Sequence, residues 1–447
     1  MHRISSSPVC CPGRPQADSS VPGDDNRGAP HPRSWRRSLG AWAAALLVFC
    51  AVSAADGAVS APYEVGTWRG FKPAAVSYTF DDGCSNQFSV AVPMFNEKGY
   101  KLTLFTVIST MFPGWSKLQA AAADGHEIAS HTMTHTNLGS ASDAQQLIEL
   151  RDSQAALDAN ITTQKCVTMA YPYCAQGKDS ITSQYYIAAR TCSGQLVPAT
   201  PANFMAISSY VCGSQGSVQT ALDFQSRANG AVASKAWLVY LIHGIDADGG
   251  YSPLPSATLK ASLDYLSTNK AKFWVDSFGN VARYIRERNA ATLTETSSNA
   301  MRITLQVTDN LDEAIFNYPI TVRRPLPVPW TAATATQNGQ PVPTETAAIN
   351  GTNYVMFDVV PDRGEVVLSR QASQARLSNP GVSLPGSFAF RRDGEPGLSY
   401  CIETSTDLVS WSSLQTNTLS STSTNLNVPV SNDVQFYRAD WRADQSL

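Results

Sequence analysis

Between about residues 60 and 292, short apolar, β-rich runs alternate with helix-like segments, and this alternation constrains the fold more than any other feature. The runs are 74–80, 102–108, 167–171 and 237–242. Ser142-Asp143-Ala144-Gln145 has the form of a capping box, and Leu147, Leu150 and Leu157 follow it at helical spacing. Ser256 is placed to cap a helix carrying Leu259, Leu263 and Leu266. Residues 278–288 are amphipathic, with a basic last turn that suits the helix dipole. Alternating strands and helices predict an α/β domain with parallel strands.

The pattern changes near Thr294. Residues 302–308 (RITLQVT) alternate with period two, and 318–322, 354–360 and 365–368 also read as strands. We therefore expect a small all-β module over 296–370. A linker rich in Pro, Gly and Ser follows, and then a second all-β module over 387–443. Phe388, Phe390, Tyr400, Ile402, Trp411, Phe436 and Tyr437 are its expected core.

The first 54 residues form an N-terminal tail and a secretory signal. Arg33, Arg36 and Arg37 precede about a dozen apolar residues, and Val52-Ser53-Ala54 supplies a small-residue cleavage site. No apolar run reaches the roughly 18–20 residues of a confident membrane span. Removal of residues 1–54 takes six basic and three acidic residues, leaving 27 against 33. The mature chain is then mildly acidic, which excludes the basic footprint of a nucleic-acid binder. Six of the nine cysteines remain, four of them between 166 and 212 with three possible pairings. An exported location, whether extracellular, periplasmic or at the cell surface, permits disulfides.

Three groups of residues carry chemistry. Thr79-Phe80-Asp81-Asp82-Gly83 ends an apolar strand in two adjacent carboxylates, and Gly83 gives the turn its backbone freedom. One acid can then bind metal while the other acts as a base. His131-Thr132-Met133-Thr134-His135 places two imidazoles at i and i+4, the spacing that puts both on one helix face toward a metal ion. His243 ends the strand 237–242, where a parallel sheet presents its reactive groups. Together they describe a two-His, one-carboxylate site flanked by a base and an acid, the equipment of an ester or amide hydrolase.

These motifs resemble the polysaccharide deacetylases with a NodB homology domain. TFDDG at 79–83, GHEIASHTMTH at 125–135, YPY at 171–173 and LIH at 241–243 occur in the family's order. The resemblance covers about residues 70–290, roughly half the chain, within the domain at 60–292. It implies a distorted (β/α) barrel, one divalent metal ion with Zn2+ the expected choice, and removal of acetyl groups from an acetylated polysaccharide or cell-wall glycan. It implies Asp81 as the base, Asp82, His131 and His135 as the metal ligands, and His243 as the acid. It also implies Tyr173 as the residue whose backbone N–H binds the oxyanion.

Two positions depart from the family pattern. Ala170 stands where the family carries an arginine that pairs with the base, and loss of that cation raises the base's pKa unless another replaces it. Arg190 is the expected replacement. The family's Asp-Trp element that tunes the acid histidine is also missing from its usual place, and Trp274 and Asp276 are the expected substitutes. Two other functions compete with deacetylation: a C–N hydrolase acting on a small amide, and a non-catalytic carbohydrate-binding surface protein.

Overall fold

The computed structural model describes residues 62–441, apart from 110–111, 373 and 432–433. The N-terminal tail and secretory signal at 1–54 lie outside the described residues. Among the described residues, no helix is long and apolar enough to cross a membrane.

After the short strand β1 (Glu64–Val65), the first domain is built on eight parallel strands. They are β2 (Ala74–Asp81), β3 (Thr103–Thr106), β4 (Glu127–Ser130), β5 (Thr168–Ala170), β6 (Ala188–Arg190), β7 (Tyr210–Val211), β8 (Trp237–Ile242) and β9 (Phe273–Val275). Helices α1 (Val92–Lys98), α2 (Trp115–Ala123), α3 (Asp143–Asn160), α4 (Asp179–Thr182), α5 (Ala221–Ser234), α6 (Ser256–Thr268) and α7 (Phe278–Ala290) intervene. The strand order is β6-β5-β4-β3-β2-β8-β7. Ile207 bridges to Arg190 of β6, and Tyr210–Val211 pairs with β8, so this short stretch closes the ring. The result is the distorted (β/α) barrel.

β2 is the buried central strand, and its period of two sorts its side chains. Val76, Tyr78 and Phe80 face the core shared with the helices. Ala75 joins the interior with Ala129, Ala170 and Ala188, small residues among the rings of Phe105, Trp237 and Phe278. At the strands' N-terminal end, Glu127 accepts from Thr103 Oγ1 at 2.8 Å, Thr168 Oγ1 at 2.6 Å and the Gly279 N–H at 2.7 Å. A carboxylate at the start of α7 suits the helix dipole. A Cβ on Gly279 would lie 2.2 Å from Glu127 Oε1, so this approach requires glycine.

Ser142 accepts from the Gln145 N–H and caps α3 as its sequence predicts. Ser256 does not cap α6: Pro255 occupies the cap position, and the Ser256 N–H donates to Asp246.

The first all-β module starts earlier than 296. Its strands are β10 (Thr292–Ser298), β11 (Arg302–Thr308), β12 (Ile320–Pro325), β13 (Ala332–Gln337), β14 (Gln340–Val342), β15 (Thr344–Ile349), β16 (Thr352–Val359) and β17 (Val366–Gln371). They form sheets β10-β11-β17-β13-β14 and β1-β12-β16-β15, which share a core with Val281 and Ile285 of α7. The second module consists of β18 (Arg376–Leu384), β19 (Ser387–Asp393), β20 (Ser399–Ser405), β21 (Ser412–Thr418), β22 (Ser423–Pro429) and β23 (Phe436–Trp441). It forms two three-stranded sheets, β18-β19-β22 and β21-β20-β23. The segment expected to be a linker thus contributes β18. Pro380 fits because β18 is an edge strand, with its register shifting between Ser378 and Gly381. Phe390, Tyr400 and Ile402 are buried, whereas Phe436 points outward and Trp411 is half-buried beneath the Arg438 guanidinium.

Candidate active site

The chemistry-bearing residues converge at the C-terminal ends of β2, β4, β6 and β8. β2 ends at Asp81, and the chain leaves it through Asp82 and Gly83, at φ 72° and 69°. Aspartate tolerates this left-handed region better than most residues. The turn swings the Asp82 carboxylate toward the histidines: its Oδ1 lies 3.6 Å from His131 Nε2 and 3.4 Å from His135 Nε2.

The two histidines do not lie on a helix. They follow β4 in a loop, with Thr132 at φ 68° and His135 at φ 62°. Two left-handed residues fold the loop back, so the imidazoles converge without helical spacing. Glu149 on α3 braces the loop by accepting from the Thr134 N–H at 2.8 Å and from the Thr134 and Thr136 hydroxyls.

The arrangement fits a divalent metal ion. Asp82, His131 and His135 each offer an atom within 4.8 Å of the others. Asp82 Oδ1 is buried and has no hydrogen-bond partner. His131 Nδ1 lies 2.9 Å from the Ala170 carbonyl, to which it donates, leaving the Nε2 lone pair toward the site. Burial lowers the His131 pKa against the raising influence of Asp81 and Asp82, which favours the neutral, ligating form. Burial raises the Asp82 pKa, but its histidine neighbours, His135 foremost, bring the balance below the usual carboxylate value.

Asp81 is buried beside this cluster. Its Oδ2 accepts from Arg190 Nη2 and lies 3.7 Å from His131 Nε2 and 3.9 Å from His243 Nε2. Its Oδ1 is buried without a partner. Arg190 also donates to Ser209 Oγ at 3.2 Å and lies over the Phe105 ring. Ala170 and Arg190 are register partners on β5 and β6, so the guanidinium reaches Asp81 from one strand beyond Ala170.

The structure does not bring Trp274 and Asp276 to His243. β9 pairs with Ala74–Val76, five residues or roughly 17 Å before Asp81 along β2. There Trp274 Nε1 and the Tyr318 hydroxyl both donate to Asp276 Oδ2. The pair therefore fastens the barrel to the first β module. His243 Nδ1 is buried without a partner, and the ring meets Tyr251 edge to face at 5.0 Å. Tyr173 sits at φ 57° and is 69% exposed, with its ring 4.7 Å from that of His135.

Two contributors have no sequence motif. Gln87 Nε2 donates to the carbonyls of both Asp81 and His243, clamping the ends of β2 and β8 together. The Cys174–Cys192 disulfide ties the Tyr173 turn to the segment just after Arg190. Cys84, Cys166, Cys212 and Cys401 are free thiols.

Residues 69–189 match the family model described as polysaccharide deacetylase. The chain is 31% identical over 343 residues to a gellan lyase of Bacillus sp, covering 72% of this chain and 14% of that protein. It is 30% identical over 101 residues to the putative polysaccharide deacetylase YxkH of Bacillus subtilis (strain 168), covering 22% of this chain and 36% of YxkH. The chain thus spans well under two thirds of both relatives. A putative polysaccharide deacetylase structure from Mycobacterium smegmatis aligns at 16% identity and TM-score 0.39, over 54% of this chain and 98% of that one. A family 4 carbohydrate esterase from Bacillus anthracis aligns at 13% identity and TM-score 0.33, over 47% and 83%.

Proposed function

We propose that the chain, whose residues 69–189 match the polysaccharide deacetylase family model, is a secreted, metal-dependent hydrolase removing acetyl groups from a carbohydrate polymer. The observation that carries the reading is the juxtaposition of the Asp82–His131–His135 cluster with Asp81, whose one oxygen is held by Arg190 while the other is uncommitted.

Asp82, His131 and His135 would hold a divalent ion, which when bound would supply Lewis acidity toward the acyl carbonyl and the attacking water. Asp81 Oδ1 is placed to take the proton of that water, while Arg190 holds Oδ2 and fixes the orientation of the carboxylate. His243, across Asp81 from Arg190, delivers a proton to the leaving nitrogen or oxygen. The Tyr173 turn supplies the backbone donor toward the developing oxyanion. The exposed rings of Tyr173 and Tyr251 flank the site and suit the apolar faces of sugar rings. The Cys174–Cys192 disulfide agrees with export into an oxidising compartment.

Acetate release by the purified chain, measured across a panel of acetylated glycans with zinc supplied, tests the proposal. Release from one polymer, abolished by Asp81→Asn and by chelation, is the expected outcome. A folded, metal-loaded chain that releases acetate from no glycan refutes it.

A further inference from the structure

The β2–β8 ladder stops one residue short of the reacting groups. Its last register pair is Phe80 with Ile242, so Asp81 and His243 both lie just beyond it. Asp81 is still paired with Phe105 on β3, and Arg190 holds its carboxylate. His243 lacks such support, because its Nδ1 is buried without a partner. Its ring rests against Tyr251, on the loop that follows β8. That loop is folded on itself: the Gly244 N–H donates to the Tyr251 carbonyl at 3.1 Å, and the Leu254 N–H to the Gly244 carbonyl at 2.9 Å. The place of His243 relative to Asp81 is therefore set through the backbone of this loop.

The residues that hold the loop come from the turn just after Asp81-Asp82-Gly83. Asn86 and Gln87 open a π-helical turn, Gln87–Ala91, a geometry frequent at functional sites. Gln87 is fully buried, and its Nε2 donates to the Asp81 carbonyl at 2.5 Å and to the His243 carbonyl at 2.9 Å. A carboxamide nitrogen carries two donors, and here both are spent on the ends of β2 and β8. Asn86 extends the grip along the loop. Its Nδ2 donates to the Ile245 carbonyl at 2.9 Å, and its N–H donates to Asp248 Oδ2 at 3.3 Å. Two consecutive residues thus bind the His243 loop at residues 243, 245 and 248 and tie it to the strand that carries the base.

Resting on the hydrolase reading above, we propose that Asn86 and Gln87 are positioning residues for the proton-donating step. They hold His243 where its Nε2 reaches the leaving atom. In that step the bond between the acyl carbon and the leaving nitrogen or oxygen breaks, its electron pair stays on the leaving atom, and His243 Nε2 gives that atom its proton and becomes neutral. Such transfer requires hydrogen-bond reach, and a misplacement of about 1 Å can cost about a hundredfold. The cost falls on leaving groups that need the proton. An amine or a sugar alkoxide leaves poorly without one, whereas 4-nitrophenolate leaves as a stable anion.

The test uses the full chain with zinc supplied, on the acetylated glycan from which the parent releases acetate and on 4-nitrophenyl acetate. Gln87→Met keeps the volume and removes both bonds. It should lower kcat on the glycan at least about tenfold with KM changed less than about twofold, and lower kcat on 4-nitrophenyl acetate less than about threefold, with zinc content unchanged. Asn86→Ala, at a half-buried position, should show the same split with a loss of about threefold on the glycan, and it carries the test if Gln87→Met does not fold. Equal losses on the two substrates, or no loss on the glycan, overturn the inference and leave the hydrolase reading standing. A folded, zinc-loaded parent that releases acetate from no glycan refutes that reading and the inference with it.

Discussion

Replacement of Arg190 by methionine removes one charge from the candidate active site and keeps most of the side-chain volume. Arg190 is 1% exposed and Asp81 is 2% exposed, so water cannot easily substitute for the guanidinium. Two unit charges at hydrogen-bond separation, roughly 3 Å, attract by ~5 kcal/mol at an effective dielectric of 20 and by ~1.4 kcal/mol in bulk water. Removing one partner of a buried pair costs about 3–5 kcal/mol, because the other charge is left buried and unpaired. The remaining neighbours of Asp81 Oδ2 are His131, whose neutral form burial favours, and His243. Arg190→Met should therefore destabilise the metal-free fold by about 3–5 kcal/mol, and kcat/KM should fall because Asp81 Oδ2 is no longer held. Arg190→Lys, which keeps the charge without the fork, should give a smaller loss of both. The assays are chemical denaturation of the metal-free chain and acetate release by the zinc-loaded chain. Unchanged stability in a folded Arg190→Met would refute the assignment of Arg190 as the cation paired with Asp81.

Three further outcomes follow from the same geometry. Removal of the Cys174–Cys192 bond, by reductant or by Cys174→Ser with Cys192→Ser, releases an 18-residue separation and should destabilise the fold by about 3 kcal/mol; the thermal midpoint reads this, and kcat should fall with it because the bond joins the Tyr173 turn to the segment beside Arg190. Glu287 has its carboxyl raised from 4.5 to about 8, so the folded state holds a proton that the unfolded state has lost, and stability should fall as pH rises between those values; Glu287→Gln should remove that slope and gain at most ~5 kcal/mol at pH 9, and chemical denaturation showing equal slopes in parent and variant contradicts the reading. Trp274→Phe removes the donor to Asp276 and should lower the thermal midpoint while leaving both limbs of the pH–rate profile in place, since β9 lies at the far end of β2 from His243.

The parts of the site that were legible in the sequence are those whose chemistry is local. An apolar strand ending in Asp81-Asp82-Gly83 reads as a strand end because the sheet hydrogen bonds, the burial and the turn all involve consecutive residues. The spacing of His131 and His135 correctly joins them but misleads about conformation, because i and i+4 also meet in a loop with two left-handed residues. Nothing in the sequence shows that Thr132 and His135 adopt positive φ. Gln87 is silent for another reason: its role is to bond two backbone carbonyls, and any polar residue type is compatible with the sequence pattern around it. Proline and glycine in 376–384 suggest a linker, yet an edge strand with a register shift accommodates them.

Trp274 and Arg190 show what residue type alone can and cannot decide. Both were expected to act on the reacting groups from a distance in sequence, Trp274 with Asp276 on His243 and Arg190 on Asp81. Direction along the parallel strands separates them. β6 ends at Arg190 on the same side of the barrel as Asp81, while β9 pairs only with the beginning of β2. The parallel register then explains how the base keeps a cation although Ala170 occupies the family's arginine position. Ala170 and Arg190 are opposite each other on neighbouring strands, about 4.8 Å apart in the hydrogen-bonding direction. An arginine side chain is long enough to absorb that displacement and still reach Asp81 Oδ2. The vacated position is used as well, because the backbone carbonyl of Ala170 accepts from His131 and fixes its tautomer. A barrel of parallel strands thus constrains the charge that the site requires more tightly than the strand that supplies it.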